Sequence, residues 1–126
     1  MTYAYDDQNI FAKILRGEIP NETVMESDHC LAFRDIAPQA PVHVLVIPKG
    51  PYVNLDHFNA EASDEELVDF ARTVSAVARA EGLAEPAGGA GFRSISNTGP
   101  DGAQDVPHYH LHILGGRPIG PMILKV

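Results

Sequence analysis

The segment from Val106 to Leu114 alternates imidazole and apolar side chains and reads Val-Pro-His-Tyr-His-Leu-His-Ile-Leu. A period of two predicts a β-strand, because successive side chains of a strand point to opposite faces. One face of this strand would carry three imidazoles and the other an apolar row; the members are His108, His110 and His112 against Tyr109, Leu111 and Ile113. The strand must therefore bury the apolar row in a core and hold the imidazoles side by side, with neighbouring Cα atoms about 6.6 Å apart.

Two other segments have helical periodicity. In residues 6–16, apolar side chains recur at helical spacing after an acidic start, where Asp6 or Asp7 can cap the helix. A longer helix begins after Ser63, which forms a capping box with Glu66, and ends at a glycine. The sequence therefore predicts one short and one long helix.

Short β-prone runs occupy residues 23–26, 30–34, 42–47 and 92–97. The third run, Val-His-Val-Leu-Val-Ile, is almost entirely apolar and mostly β-branched, which is typical of a buried central strand. Short strands with tight turns and two helices predict an α+β fold, built on an antiparallel sheet of about five strands.

Composition excludes several classes of protein. A net charge of −8 with only 9 Lys and Arg residues gives no basic footprint for a nucleic acid polymer. A single cysteine, Cys30, permits neither an intrachain disulfide nor a Cys-x-x-Cys pair. The sequence shows no signal peptide and no apolar run near the ~20 residues of a membrane span, so we expect a cytoplasmic protein. The 126 residues suit one domain, residues 1–126, with an irregular tail from about residue 117 to 126.

The histidine row has three possible interpretations. It can be the solvated face of an edge strand, a metal site, or a site for nucleophilic and acid–base chemistry. Two histidines at i and i+2 can share one ion, but the outer pair of a straight strand lies about 13 Å apart. Imidazole also titrates near neutrality and can attack phosphorus through an unprotonated nitrogen.

Two further features favour chemistry at this row. His43 lies inside the apolar run 42–47, where a buried imidazole needs a polar partner that a neighbouring histidine row would supply. The glycine-rich loop of residues 97–105 ends at the row, and free amides in such a loop can bind an anion.

These residues resemble the histidine triad (HIT) family, in which three histidines alternate with apolar residues. Residues 108–114 fit the signature, with Tyr109 in an apolar position. The similarity runs from about residue 9 to residue 122 and looks most like the Hint branch of purine nucleoside phosphoramidases. The matching blocks are Ile10-Phe11, Ile19-Pro20, residues 32–36 and 38–49, Asn97, Gln104, and residues 115–118 and 120–122.

The resemblance implies a HIT-like fold and a two-step hydrolysis. His110 would attack the α-phosphorus of a nucleoside 5′-phosphoramidate or an aminoacyl adenylate, and water would release the nucleoside monophosphate from a nucleotidyl-histidine intermediate. His112 would bind phosphate or ester oxygens, while His108 and His43 would orient the row. No cofactor and no metal are implied.

The resemblance also implies substrate-binding residues. Asp35 would accept hydrogen bonds from the ribose hydroxyls of a purine nucleotide such as an AMP or GMP conjugate, although a carboxylate at this turn can also be purely structural. Four residues would form an apolar slot for the base: Ile10, Phe11, Phe33 and Ile36. Four others would surround the phosphate: Asn97 and the amides of Gln104, Asp105 and Val106.

The chain departs from the family pattern at two positions. Many members carry Ser or Thr in place of Asp105, and a carboxylate near phosphate is repulsive unless it turns away. Ala103 replaces a common glycine, which limits positive φ at that position.

Two alternative functions stay open, namely a dinucleoside polyphosphate hydrolase and a nucleotide-binding adaptor in which hydrolysis is incidental. The resemblance further implies a homodimer with a continuous ten-stranded sheet, without a membrane partner.

Overall fold

The computed structural model describes residues 3–124 and contains a five-stranded antiparallel sheet with helices against both faces. The strands, in chain order, are β1 (Thr23–Glu26), β2 (Cys30–Arg34), β3 (Val42–Pro48), β4 (Phe92–Ser96) and β5 (Leu111–Gly115). Their order across the sheet is β1-β2-β3-β5-β4. The helices are α1 (Ile10–Leu15), α2 (Leu55–Glu61) and α3 (Asp64–Ala80), and a 3-10 turn follows at Glu85–Ala87. The predicted α+β class and the five-stranded antiparallel sheet are confirmed.

The central strands bury both faces, which explains why their sequences are almost continuously apolar. On β3, Val44 and Val46 join the core under α3, whereas Leu45 and Ile47 join a second core under α1. Phe70 and Val77 of α3 close the first core, and Phe11 and Ile14 of α1 close the second. The second core supports the face that carries the histidines.

The helices differ from the predictions in two respects, namely the cap of α1 and the presence of α2. The start of α1 is capped by Asn9, whose side chain accepts from the N–H of Ala12, so the expected cap at Asp6 or Asp7 is wrong. Asp6 instead accepts the N–H of Gln8 in the preceding turn. Helix α2 was not predicted, because its seven residues bury only two side chains and carry little periodicity. The capping box at the start of α3 is confirmed.

The predicted final strand is shorter than expected, because β5 begins only at Leu111 and the first two histidines precede it. Extending the register of β3 and β5 would place Pro48 opposite Tyr109, and proline has no N–H to donate. The N–H of Tyr109 donates to the carbonyl of Tyr52 instead, at 2.8 Å. The alternation of faces nevertheless holds across this break, since Tyr109 and Ile113 both lie in the core under α3.

The C-terminal tail folds back on the edge strand β4. The guanidinium of Arg93 donates to the carbonyls of Gly120 and Pro121, at 2.8 and 3.0 Å. Residues 117–124 form no helix or strand, as predicted, while residues 125–126 of that tail lie outside the described part. Within residues 3–124, no helix combines the length and apolarity needed to cross a bilayer.

Candidate active site

A hydrogen bond on one ring nitrogen of His110 determines the state of the other. Its Nδ1 lies 2.7 Å from the backbone carbonyl oxygen of His108. Because a carbonyl only accepts, Nδ1 carries the proton and Nε2 of the neutral ring keeps its lone pair. The ring is buried, with the edge of Phe11 at 4.9 Å between centroids. In the neutral ring this arrangement orients an unprotonated nitrogen, which is the form that can act as a nucleophile.

A relay of hydrogen bonds sets the tautomer of His112. The backbone N–H of Gln39 donates to Nδ1 of His43 at 3.1 Å, which leaves the proton of neutral His43 on Nε2. That nitrogen lies 2.9 Å from Nδ1 of His112, which therefore accepts. His112 consequently carries its own proton on Nε2 and can donate it to an anionic oxygen.

Burial keeps two of the histidines neutral at physiological pH. Desolvation, reinforced by the neighbouring His110 and His43, lowers the pKa of His112 from 6.5 to about 4. Desolvation also lowers the pKa of His108 to about 4, partly opposed by a hydrogen bond to Pro48. At pH 7 neither of these two rings therefore adds a positive charge to the histidine row, which offers a hydrogen-bond donor and a lone pair.

His108 is fully buried and is held from both ring nitrogens. Nε2 lies 2.8 Å from the carbonyl of Pro48 and must donate to it. Nδ1 therefore accepts, and the hydroxyl of Tyr5 donates to it at 2.6 Å. Burial raises the pKa of Tyr5 above its usual value of 10, so this hydroxyl stays protonated at neutral pH. The held ring fixes the backbone carbonyl that orients His110.

Asp35 has both a turn role and a place beside the histidines. Its Oδ1 accepts the N–H of Ala37 at 2.8 Å, as expected of a turn carboxylate. Its Oδ2 lies 3.4 Å from Nε2 of His43. The same side chain lines a cavity, so the carboxylate is placed where it can also meet a ligand.

That cavity has a volume of about 300 Å³, at the small end of the range for small-molecule sites. All four residues expected to form an apolar slot line it, namely Ile10, Phe11, Phe33 and Ile36. Leu45 and Val106 line it as well. Ile36 is 95% exposed and therefore lies at the mouth, while Phe11 and Phe33 are buried and meet edge to face with centroids 5.5 Å apart. A larger cavity of about 650 Å³ lies near Leu83 and Arg117. Among the described residues, histidines line neither cavity, but the smaller one is lined by Asp35 and Asp105, which lie 3.4 Å from His43 and His110.

Hydrogen bonds of Gln104 hold the loop before the histidines in place. Its side-chain amide donates to the carbonyls of Val53 and Val106, and its Oε1 accepts the N–H of Gly99. Its backbone N–H donates to the carbonyl of Gly99. The expectation that the Gln104 amide faces a phosphate does not match this bonding, because Gln104 holds the loop together.

Asp105 and Val106 meet the histidine row directly. The Asp105 carboxylate accepts the N–H of Val106 at 2.9 Å, and the same oxygen lies 3.4 Å from Nε2 of His110. Asp105 and Val106 also line the cavity. The structure thus brings the carboxylate toward Nε2 of His110 instead of turning it away.

Two other positions of the loop concern the expected phosphate site and the backbone conformation, and the phosphate role of Asn97 stays a prediction. Asn97 is half-buried just after β4 and is not among the described residues that line the cavity. Ala103 adopts a positive φ of 56° despite its side chain, so the expectation that alanine limits this conformation is wrong here. The left-handed conformation at a non-glycine residue costs roughly 1–2 kcal/mol.

One group of described residues, Asp35, His43 and His112, has ligand atoms within 4.8 Å of one another, as a metal site would require. The hydrogen bonds oppose such a site. The N–H of Gln39 requires a lone pair on Nδ1 of His43, which keeps a proton on the Nε2 that would face the ion. The third interpretation of the histidine row, chemistry by imidazole itself, fits these contacts better.

Sequence reasoning missed Tyr5 and Gln39, which set the tautomers of His108 and His43. Tyr5 lies 103 residues from His108 along the chain, and no local pattern marks it. Gln39 acts through its backbone N–H, so its side-chain identity carries no signal.

Comparison with known proteins identifies close relatives. Residues 16–119 match the family described as HIT domain. The chain is 46% identical over 120 residues to a purine nucleoside phosphoramidase of Escherichia coli, covering 93% of this chain and 94% of that one. It is 45% identical to an adenylylsulfatase of Arabidopsis thaliana, covering 89% and 74%. A solved HIT family hydrolase from Clostridium thermocellum superimposes with a TM-score of 0.81 at 39% identity, covering 94% and 99%.

Proposed function

This chain belongs to the HIT domain family, and from that premise we propose that it hydrolyses the P–N bond of purine nucleoside 5′-phosphoramidates. Aminoacyl adenylates are a second candidate substrate class. The observation that carries the proposal is the hydrogen bond from Nδ1 of His110 to the carbonyl of His108. In the neutral ring it leaves the lone pair on Nε2, 3.4 Å from Asp105, which lines the cavity.

The proposed reaction has two displacements at phosphorus. Nε2 of His110 bonds to phosphorus while the P–N bond breaks, and the leaving nitrogen takes a proton from solvent. Water then bonds to phosphorus, loses a proton and displaces Nε2, which releases the nucleoside monophosphate and restores the histidine. The intermediate ring is positively charged, so the hydrogen bond from Nδ1 to the His108 carbonyl strengthens as the new bond forms.

His112 is proposed to stabilise the charge that develops on the phosphoryl oxygens. Its Nε2 proton is fixed by the relay through His43, and its pKa of about 4 keeps the ring in the donor tautomer at pH 7. A donor that is oriented before substrate arrives needs no reorganisation during the reaction.

The nucleoside is proposed to fill the cavity beside the row. Phe11 and Phe33 offer apolar surface to a purine, while Asp35 at the same cavity can accept from the two ribose hydroxyls. The cavity volume suits one nucleoside, which favours a nucleotide conjugate over a long polymer.

Steady-state kinetics test the proposal. Turnover of adenosine 5′-phosphoramidate is expected to exceed that of a diadenosine polyphosphate, and His110→Ala is expected to abolish it while AMP still binds. His29→Ala, at the turn between β1 and β2, serves as the histidine control and should retain activity. Preferential cleavage of the polyphosphate would support the alternative hydrolase instead. Tight nucleotide binding without turnover of either substrate would support the adaptor function.

We also propose that the protein is a homodimer. Within the described sheet, β4 is an edge strand and pairs only with β5, so a second β4 could extend the sheet to ten strands. Light scattering after size-exclusion chromatography should give twice the chain mass of 13.6 kDa, and a monomer mass would contradict this.

A further inference from the structure

Asp105 is an unusual neighbour for a nucleophile that must meet an anion. Its carboxylate is 77% exposed at the side chain and is held by one hydrogen bond, from the N–H of Val106. The bound oxygen also lies 3.4 Å from Nε2 of His110. A carboxylate oxygen therefore lies 3.4 Å from the nitrogen that is proposed to attack phosphorus.

A phosphorus atom attacked by His110 must approach Nε2 to roughly 3–3.5 Å. The Asp105 oxygen lies at the same distance from Nε2, so the carboxylate and a phosphoryl group compete for the space around this nitrogen. Outward rotation of the carboxylate, which its exposure permits, would clear this space and release the N–H of Val106 for a phosphate oxygen.

We infer that Asp105 is a displaceable internal anion that makes the site discriminate among nucleotides by the charge on their phosphoryl group. After rotation the carboxylate stays attached one residue from Val106, close enough to repel the bound phosphoryl group. A phosphoramidate carries one negative charge there, whereas a monophosphate carries nearly two at pH 7. Asp105 thus specifies monoanionic substrate over dianionic product and favours product release. This inference rests on the proposed function.

The expected effect follows from Coulomb repulsion. For a solvent-facing carboxylate at roughly 6 Å from the ligand charge, each ligand charge should weaken binding roughly three- to tenfold. The effect should shrink at high salt, because exposed charges are screened.

Isothermal titration with three ligands separates this effect from other causes. Adenosine, the methyl ester of AMP and AMP carry zero, one and nearly two negative charges on the same nucleoside. Asp105→Asn keeps an oxygen that can accept from the N–H of Val106 but removes the charge. It should leave the affinity for adenosine unchanged, tighten that for the ester roughly threefold or more, and tighten that for AMP by about the square of that factor.

Glu85→Gln is the matched control, because it removes one exposed carboxylate at the 3-10 turn after α3. It should shift none of the three affinities by more than about twofold. Asp105→Ser, a second uncharged variant, should reproduce the graded pattern. Agreement between the two variants would show that the pattern does not come from a folding defect in Asp105→Asn.

Equal changes for all three ligands, or no change for AMP, would overturn the inference while leaving the proposed function intact. If the wild-type protein binds none of the three ligands, both the proposed function and this inference are wrong. A graded change in both Asp105 variants, reduced in 1 M salt, supports the displaceable anion.

Discussion

The hydroxyl of Tyr5 is predicted to stabilise the fold through the most deeply buried histidine. Tyr5→Phe removes the donor that lies 2.6 Å from Nδ1 of His108 and leaves the aromatic ring in place. His108 is 0% exposed and its Nε2 already donates to Pro48, so no tautomer change can satisfy Nδ1 without breaking another bond. An orphaned buried acceptor costs about 1–3 kcal/mol, and we expect a loss of about 2 kcal/mol in the free energy of unfolding.

Urea denaturation measures this loss as a lower midpoint with an unchanged slope. Tyr3→Phe is the matched control from the same N-terminal segment, because the hydroxyl of Tyr3 donates to Asp56 at an exposed site. Its variant should stay within about 0.5 kcal/mol of the wild-type protein. Equal losses in the two variants would refute the reasoning, because they would show that burial of the acceptor does not determine the cost.

Three further predictions address pH, helix capping and substrate binding. The pKa of His108 is about 4 in the folded protein and 6.5 in the unfolded chain. Its contribution to the free energy of unfolding is therefore complete above pH 6.5 and declines by about 3 kcal/mol as the pH falls to 4. Flat stability over this window, measured by urea denaturation, would contradict this prediction. Ser63→Ala removes the cap of α3 and should cost about 1 kcal/mol, whereas Ser75→Ala on the exposed face of that helix should be nearly neutral in the same assay. Asp35→Ala should raise KM for a nucleoside phosphoramidate roughly tenfold or more with a smaller change in kcat, while an effect confined to kcat would exclude ribose binding.

Much of the fold was predictable, because its strongest signals are local. The apolar run of β3, the capping box at Ser63 and the alternation around Tyr109 each fix an element or a face without reference to distant residues. Helix α2 was not predictable in this way, because it is short and is ordered by burial of Phe58 in the core.

The same distinction between local signals and distant contacts holds for the candidate site. The histidines and the apolar residues of the cavity follow from pattern and resemblance, and the structure brings them together around Phe11. The tautomers could not be predicted, because they depend on Tyr5 and on a backbone N–H from another segment. The approach of the Asp105 carboxylate to 3.4 Å from Nε2 of His110 depends on the side-chain conformation, which the sequence does not specify.

The central claim is that Nε2 of His110 forms a bond to phosphorus. Intact-mass analysis after rapid acid-free quenching of a reaction with a nucleoside phosphoramidate tests it most directly. The account predicts a protein species heavier by one nucleotidyl group in the wild-type protein and in His29→Ala, and none in His110→Ala. An adduct that persists in His110→Ala, or turnover by the wild-type protein without any adduct on the time scale of a single turnover, would contradict the claim.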